Sequence, residues 1–138
     1  MKLDHIGIAV PDLAKAIEFW GEALDLNVTH REDVPEQGVR TAFLPAGDTT
    51  VELLEPLSAG EGPIGRHLAK RGPGIHHICF AVNHLARTLD ALDAAGVQLI
   101  DRTPKVGAHG MKVAFIHPRA TGGVLVELAE SGDRHDQD

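Results

Sequence analysis

Cysteine is almost missing from this chain of 138 residues, where Cys79 stands alone. No disulfide can form within it, and a reducing cytoplasm is the expected compartment. Cys79 sits in an apolar run and is expected to be a buried small hydrophobe in a strand. Long apolar runs are lacking too, and the opening MKLDHIGIAV is too short and too polar to read as a signal peptide. Basic residues are in deficit: 13 Lys and Arg against 20 Asp and Glu leave a formal net charge of −7. That balance, with no basic run to offset it, argues against a nucleic-acid surface. Neither membrane nor nucleic acid is therefore expected as a partner. What is plentiful is apolar content, 43% and ample for the core of one domain, and histidine, with nine residues.

The chain reads as two copies of one unit. Asp4-His5-Ile6-Gly7-Ile8-Ala9-Val10 aligns with His76-His77-Ile78-Cys79-Phe80-Ala81-Val82 at an offset of 72 residues, and Val51-Glu52-Leu53 aligns with Val126-Glu127-Leu128 at 75. Similar offsets at two separated places indicate a duplication with small loop changes. In the first copy, residues 3–10 are rich in strand formers, and Pro11-Asp12 opens a helix. Leu13, Ala16, Ile17, Trp20 and Leu24 are spaced to line one face of that helix. Residues 26–32, 39–44 and 49–54 read as strands, with Ala46-Gly47-Asp48 turning the last pair. In the second copy, 75–82 reads as a strand and 84–95 as a helix packing Leu85, Leu89 and Leu92, with Gly96 as a left-handed cap. Strands near 97–101, 111–117 and 124–129 follow. The expectation is an α+β fold: two βαβββ repeats forming a curved mixed sheet around a central metal site. It is a single domain over 1–138, with repeat one at about 1–56, a Gly- and Pro-rich linker at about 57–74 holding a helical turn near Ile64–Lys70, repeat two at about 75–130, and a polar tail over 131–138.

His5, Glu52, His77 and Glu127 carry the chemistry. Each histidine lies in the first strand of its copy and each glutamate in the last. Alternation along a strand puts Glu52 on a face with Thr50 and Leu54, Glu127 with Leu125 and Ala129, and His5 with Gly7 and Ala9. A carboxylate on so apolar a face is expensive to bury unless paired or bound to a metal. Brought together by a pseudo-twofold axis, two imidazoles and two carboxylates suit a divalent transition metal, and their charge of −2 balances it. Four ligands leave two octahedral positions open. Among the other histidines, His30, His67, His84 and His135 are expected at solvated positions, His76 on the surface or packed, and His117 structural at a strand end. His109, in the glycine-rich Gly107-Ala108-His109-Gly110, is a candidate ligand contact. No Lys-Ser or Lys-Thr follows to make that segment a phosphate loop.

At these residues the chain resembles the vicinal oxygen chelate (glyoxalase/bleomycin resistance/dioxygenase) superfamily, and within it the methylmalonyl-CoA epimerases. DHIGIAVPDL (4–13), PEQGV (35–39), VELLEPL (51–57), GIHHICFAV (74–82), KVGAHG (105–110) and GGVLVEL (122–128) carry the likeness, which covers nearly all of the chain. The resemblance implies interconversion of the two C2 epimers of methylmalonyl-CoA by a 1,1-proton transfer through an enolate. It implies metal ligands at His5, Glu52, His77 and Glu127, and a divalent ion, cobalt first, with zinc, nickel, manganese or magnesium as alternatives. It also implies an acyl-CoA substrate and a homodimer. Glu127 is the first candidate for the catalytic base and Glu52 the second. Lys105, Lys112 and Arg119 are candidates for the CoA phosphates. One position departs from the pattern: some bacterial epimerases place a glutamate where this chain has Thr41, so no base is available there. Glyoxalase I, which uses a similar quartet on a glutathione adduct, is the nearest rival enzyme. Extradiol dioxygenases need only two His and one carboxylate, so Glu52 counts against them. A non-catalytic, resistance-type binding protein of the same fold is the alternative from another class.

Overall fold

The computed structural model describes residues 1–131. The chain forms two compact units, His5–His76 and Met1–Asp4 with the chain from His77 onward. Each follows the expected βαβββ order and mixes parallel with antiparallel pairs, so the α+β class and the repetition hold.

The first unit contains most of β1 (Lys2–Ala9), then α1 (Leu13–Ile17), β2 (His30–Val34), β3 (Val39–Ala46), β4 (Thr49–Pro56) and α2 (Gly62–Arg71). Its strands lie in the order β2-β3-β4-β1. The β1–β4 pair is parallel and the others antiparallel. Alternation sends Ala42, Leu44 and Leu53 to a core with Val10 and Leu13, onto which Ala16, Ile17 and Trp20 pack. The opposite face holds Val39, Thr41, Phe43, Glu52 and Leu54, all buried. Pro11 precedes the helix, and Asp12 caps it by accepting the Lys15 N–H at 3.2 Å.

The second unit contains β5 (Gly74–Val82) from His77, α3 (Leu85–Ala94), β6 (Lys105–Val106), β7 (Lys112–Ile116) and β8 (Val126–Glu130), ordered β5-β8-β7-β6. Leu85 and Leu89 of α3 are buried against Val82, Ala114, Ile116 and Leu128, with Leu92 beside them. Gly96 closes α3 with φ 84°. The Gly96 N–H donates to Asp93 C=O and the Val97 N–H to Leu92 C=O, both at 3.0 Å. This is the two-bond left-handed cap that the glycine predicted.

Three sequence expectations are corrected. Leu24 does not share the α1 face: residues Glu18–Ala23 are π-helical, and the Leu24 N–H reaches Phe19 C=O five residues back. The wider turn breaks the helical phase, leaving Leu24 48% exposed. The strand expected at 26–32 starts only at His30, because Leu26 and Val28 are spent packing onto the helix core. The strand expected at 97–101 reduces to a single bridge, Leu99 with Ile116. There the Ile100 and Asp101 N–H groups both donate to Phe115 C=O, while the Asp101 carboxylate takes the Phe115 N–H at 2.8 Å. A side chain thus replaces the ladder, and two-residue β6 becomes the edge. In the segment joining the repeats, the expected helical turn is a ten-residue helix, α2.

Gly65 is the position of tightest approach. A Cβ there would lie 2.7 Å from the Gly60 carbonyl carbon. Backbone cannot give way as a side-chain tip can, so Gly65→Ala is expected to lower stability by about 1–3 kcal/mol. Urea denaturation measures it, and an unchanged midpoint would show that the Gly60 loop moves freely off the helix.

Candidate metal centre

Each unit by itself builds the same buried pair. In the first, His5 on β1 faces Thr50 in register while Gly7 faces Glu52. Glycine leaves the place beside Glu52 free of a side chain, and His5 Nε2 comes to 3.1 Å from Glu52 Oε1. In the second, Cys79 faces Glu127, and His77 Nε2 lies 3.1 Å from Glu127 Oε1. Across the antiparallel neighbour, Phe43 faces Glu52 and Phe115 faces Glu127. A small residue, a glutamate and a phenylalanine therefore stand side by side in both copies. The two phenylalanines were not singled out from sequence. Their common offset of 72 residues was the available signal.

All four polar side chains are buried, with exposures of 5–8%. A carboxylate so enclosed needs a compensating cation or a full set of hydrogen bonds. The donor set fits a divalent ion: two ligands at about 2.1 Å from one metal and at right angles lie about 3 Å apart. Both His–Glu separations meet that spacing. The His77 ring is also braced. His77 packs edge-on against Phe115 at 5.9 Å, and the Lys105 ammonium lies 5.0 Å from the same phenyl ring.

The remaining candidates are distributed as follows. Thr41 is fully buried and its hydroxyl donates to Glu32 C=O at 3.1 Å, so it is a structural residue. Lys105 pairs with Asp101 at 3.3 Å and Lys112 with Glu130 at 4.0 Å. Two of the three candidates for the CoA phosphates therefore already lie beside carboxylates. Arg119 lies in the short turn after β7, its backbone N–H held by His117 Nδ1 at 3.0 Å, and that bond gives His117 its structural role. His109 is exposed at φ 61°, a left-handed conformation uncommon outside glycine. His30 is not simply solvated: it is half-buried, 2.6 Å from Glu32 and 5.6 Å from the Phe43 ring. Nor is His67, whose half-buried ring meets that of His76 edge-on at 5.1 Å. Desolvation, with the positive charge of Arg71 adding to it, holds His67 below the ordinary imidazole pKa. His84 is exposed at the start of α3. Cys79 is the buried strand residue expected. His135 lies outside the described residues.

Comparison with known proteins gives the family. The model of the Glyoxalase/Bleomycin resistance protein/Dioxygenase superfamily matches residues 4–115. The ethylmalonyl-CoA/methylmalonyl-CoA epimerase of Cereibacter sphaeroides is 40% identical over 131 residues, covering 94% of this chain and 97% of that protein. The crystal structure of methylmalonyl-CoA epimerase from Mycobacterium tuberculosis superposes with a TM-score of 0.90 at 38% identity, covering 96% of this chain and 89% of that one. A structure of methylmalonyl-CoA epimerase in complex with methylmalonyl-CoA and NH4+ gives 0.90 at 36% identity, with 96% and 95% covered. Identity of this order, sustained along nearly the whole of both chains, leads to one conclusion: the chain belongs to the glyoxalase/bleomycin resistance/dioxygenase superfamily and, within it, to the family of the methylmalonyl-CoA epimerases.

Proposed function

We propose that this chain is an isomerase interconverting the (R) and (S) forms of methylmalonyl-CoA, with His5, Glu52, His77 and Glu127 holding one divalent ion. The observation that carries the reading is the buried His–Glu pair, built twice with the same 3.1 Å separation. Two imidazoles and two carboxylates would neutralise a divalent cation, and a set of four protein ligands would leave it able to take a chelating substrate. When bound, such an ion supplies a Lewis acid that stabilises the negative charge developing on the thioester oxygen, worth several kcal/mol.

The residues do the rest. Epimerisation removes the C2 proton from one face and returns a proton to the other, so it needs a proton acceptor and a proton donor at that carbon. Glu127 is the first choice for the base, and Glu52, its counterpart in the other copy, is the second. Thr41 cannot replace either, since a hydroxyl is no base at neutral pH and this one is committed to Glu32. The buried apolar neighbours Leu54, Ala129 and Val113 help keep water from the carboxylates. Cobalt as the ion and a homodimeric state belong to the same proposal, and rest on the family resemblance.

The test is proton exchange. Incubated in D₂O with one pure epimer of methylmalonyl-CoA, the metal-loaded protein should exchange the C2 proton and convert the epimer, as followed by NMR. A hemithioacetal of glutathione serves as the parallel substrate. Turnover of that compound with no exchange on methylmalonyl-CoA would place the chain with the glyoxalases instead. Metal content after dialysis identifies the ion, and light scattering gives the oligomeric state.

A further inference from the structure

His30 and Glu32 form a pair that the metal site does not use. His30 Nε2 lies 2.6 Å from Glu32 Oε1, and the two side chains remain 38% and 28% exposed, so solutes reach them. Register within the first unit puts them on the face of the buried glutamate. His30 faces Phe43 on β3, Phe43 faces Glu52 on β4, and Glu32 faces the buried Thr41. Residues directly opposite on paired strands share a face, so Glu52, Phe43 and His30 stand in one row across three strands. Alternation sends Arg31 and Asp33 to the other face, where Asp33 accepts from Arg40 at 3.0 Å.

Stability does not explain the inward pair. An ion pair this accessible contributes about 0–1 kcal/mol, and β-branched or aromatic residues fill such strand positions at least as well. The second unit repeats the construction. There Glu127 faces Phe115, and the Phe115 ring carries the Lys105 ammonium at 5.0 Å, itself held by Asp101 at 3.3 Å. In the first unit the Phe43 ring meets the His30 ring at 5.6 Å, and Glu32 holds that ring. Both copies thus set a phenylalanine between a buried glutamate and a nitrogen donor held by a carboxylate. The two donors differ in rigidity. His30 is a ring on a five-residue strand paired along its length, whereas Lys105 ends a flexible four-carbon stem on a two-residue edge. His30 is the donor fixed in place.

The spacing selects the ligand. Neighbouring strands lie about 4.8 Å apart, so the backbones at Glu52 and His30 are about 10 Å apart, with the Phe43 ring between them. A small acyl group fits over that ring. A protonated imidazole donates from both nitrogens, so one N–H holds Glu32 while the other meets a second carboxylate. Such a charge-assisted bond favours an anion and gives nothing to an alkyl group. The acyl thioesters that carry an anion so near the carbonyl are those of the malonyl type.

We propose that His30 donates to the free carboxylate of a malonyl-type thioester lying over Phe43, and so selects such substrates over simple acyl thioesters. Glu32 is the positioning residue that orients the ring. A cation at that carboxylate also offsets the second negative charge that appears when C2 loses its proton. The inference rests on the acyl-CoA reading above and adds to it the residue that reads the acid end of the substrate.

Malonyl-CoA and acetyl-CoA differ only in that carboxylate, and calorimetric titration of the metal-loaded protein with each is the test. The parental protein should bind malonyl-CoA the more tightly. His30→Gln keeps a polar side chain and removes the charge. It should raise the Kd for malonyl-CoA about tenfold and leave that for acetyl-CoA unchanged, whereas a residue that only supports its strand would weaken both alike. Should the glutamine variant fold poorly, the ring resonances of His30 in the parental protein carry the test: malonyl-CoA should shift them and acetyl-CoA should not. An unchanged Kd for malonyl-CoA, an equal loss on both thioesters, or ring resonances that respond to both or to neither overturns the role of His30. A parental protein that binds neither thioester and does not exchange the C2 proton of methylmalonyl-CoA would instead overturn the acyl-CoA reading, so the two failures are distinguishable.

Discussion

His77→Ala should leave a folded protein that no longer retains a divalent ion through dialysis. The expectation of folding comes from where the apolar burial lies. Leu85, Leu89, Leu128 and Ile116 form the core of the second unit and Leu13, Leu44 and Leu53 that of the first, and His77 belongs to neither. Burial of each such leucine contributes about 1.5–3 kcal/mol. Removing the imidazole leaves Glu127, 6% exposed, without its neighbour at 3.1 Å. That costs about 1–3 kcal/mol, which is damaging but short of the stability of an ordinary domain. The loss at the metal is larger. Removing a group that merely orients a ligand lowers affinity 10–100-fold, so removing a ligand itself should lower it by more than about 100-fold. Circular dichroism and metal content per chain, measured on the same sample, check both halves of the expectation. A variant unfolded at room temperature would make the ion a structural element. One that keeps a full complement of metal would remove His77 from the ligand set.

Glu127→Gln should abolish epimerisation, with kcat falling by about 10²–10⁴, the range associated with loss of a positioned general base. Glutamine keeps an oxygen able to ligate while giving up basicity, so the substitution separates the two roles proposed for this side chain. Glu52 and Glu127 occupy equivalent places in the two copies, each flanked by a small residue and a phenylalanine. Two bases related in this way are suited to opposite faces of one carbon, which is what a 1,1-proton transfer requires. On that proposal each variant retains one working face. Glu127→Gln should still permit deuterium exchange from one pure epimer, and Glu52→Gln exchange from the other, although neither converts one epimer to its partner. Each variant must first be shown to hold metal. Parental epimerisation by metal-replete Glu52→Gln would confine Glu52 to ligation and require another second base.

Much of this was legible before any coordinates. The strand alternation around His5, Glu52, His77 and Glu127 is a local property of the backbone, with side chains on a strand pointing alternately to its two faces. Once the duplication is seen, the equivalence of the four positions follows. Gly96 ended α3 as its sequence context predicted, because a left-handed residue closes a helix cheaply only when it lacks a Cβ. What the sequence could not determine was decided by contacts between distant residues. Leu24 kept the spacing of a helix face, but the π-helical turn over Glu18–Ala23, followed by Asp25 at φ 62°, moved it off that face. Residues 97–101 had strand composition, but the Asp101 carboxylate took the backbone donor that a ladder needed. Lys105 and Lys112 looked free to meet phosphates until their partners Asp101 and Glu130 were placed. Phe43 and Phe115 gained their meaning only from register across the sheet. Period and capping are written in neighbouring residues, whereas pairing, register and the satisfaction of a buried donor depend on which remote groups the folded chain brings within about 3 Å.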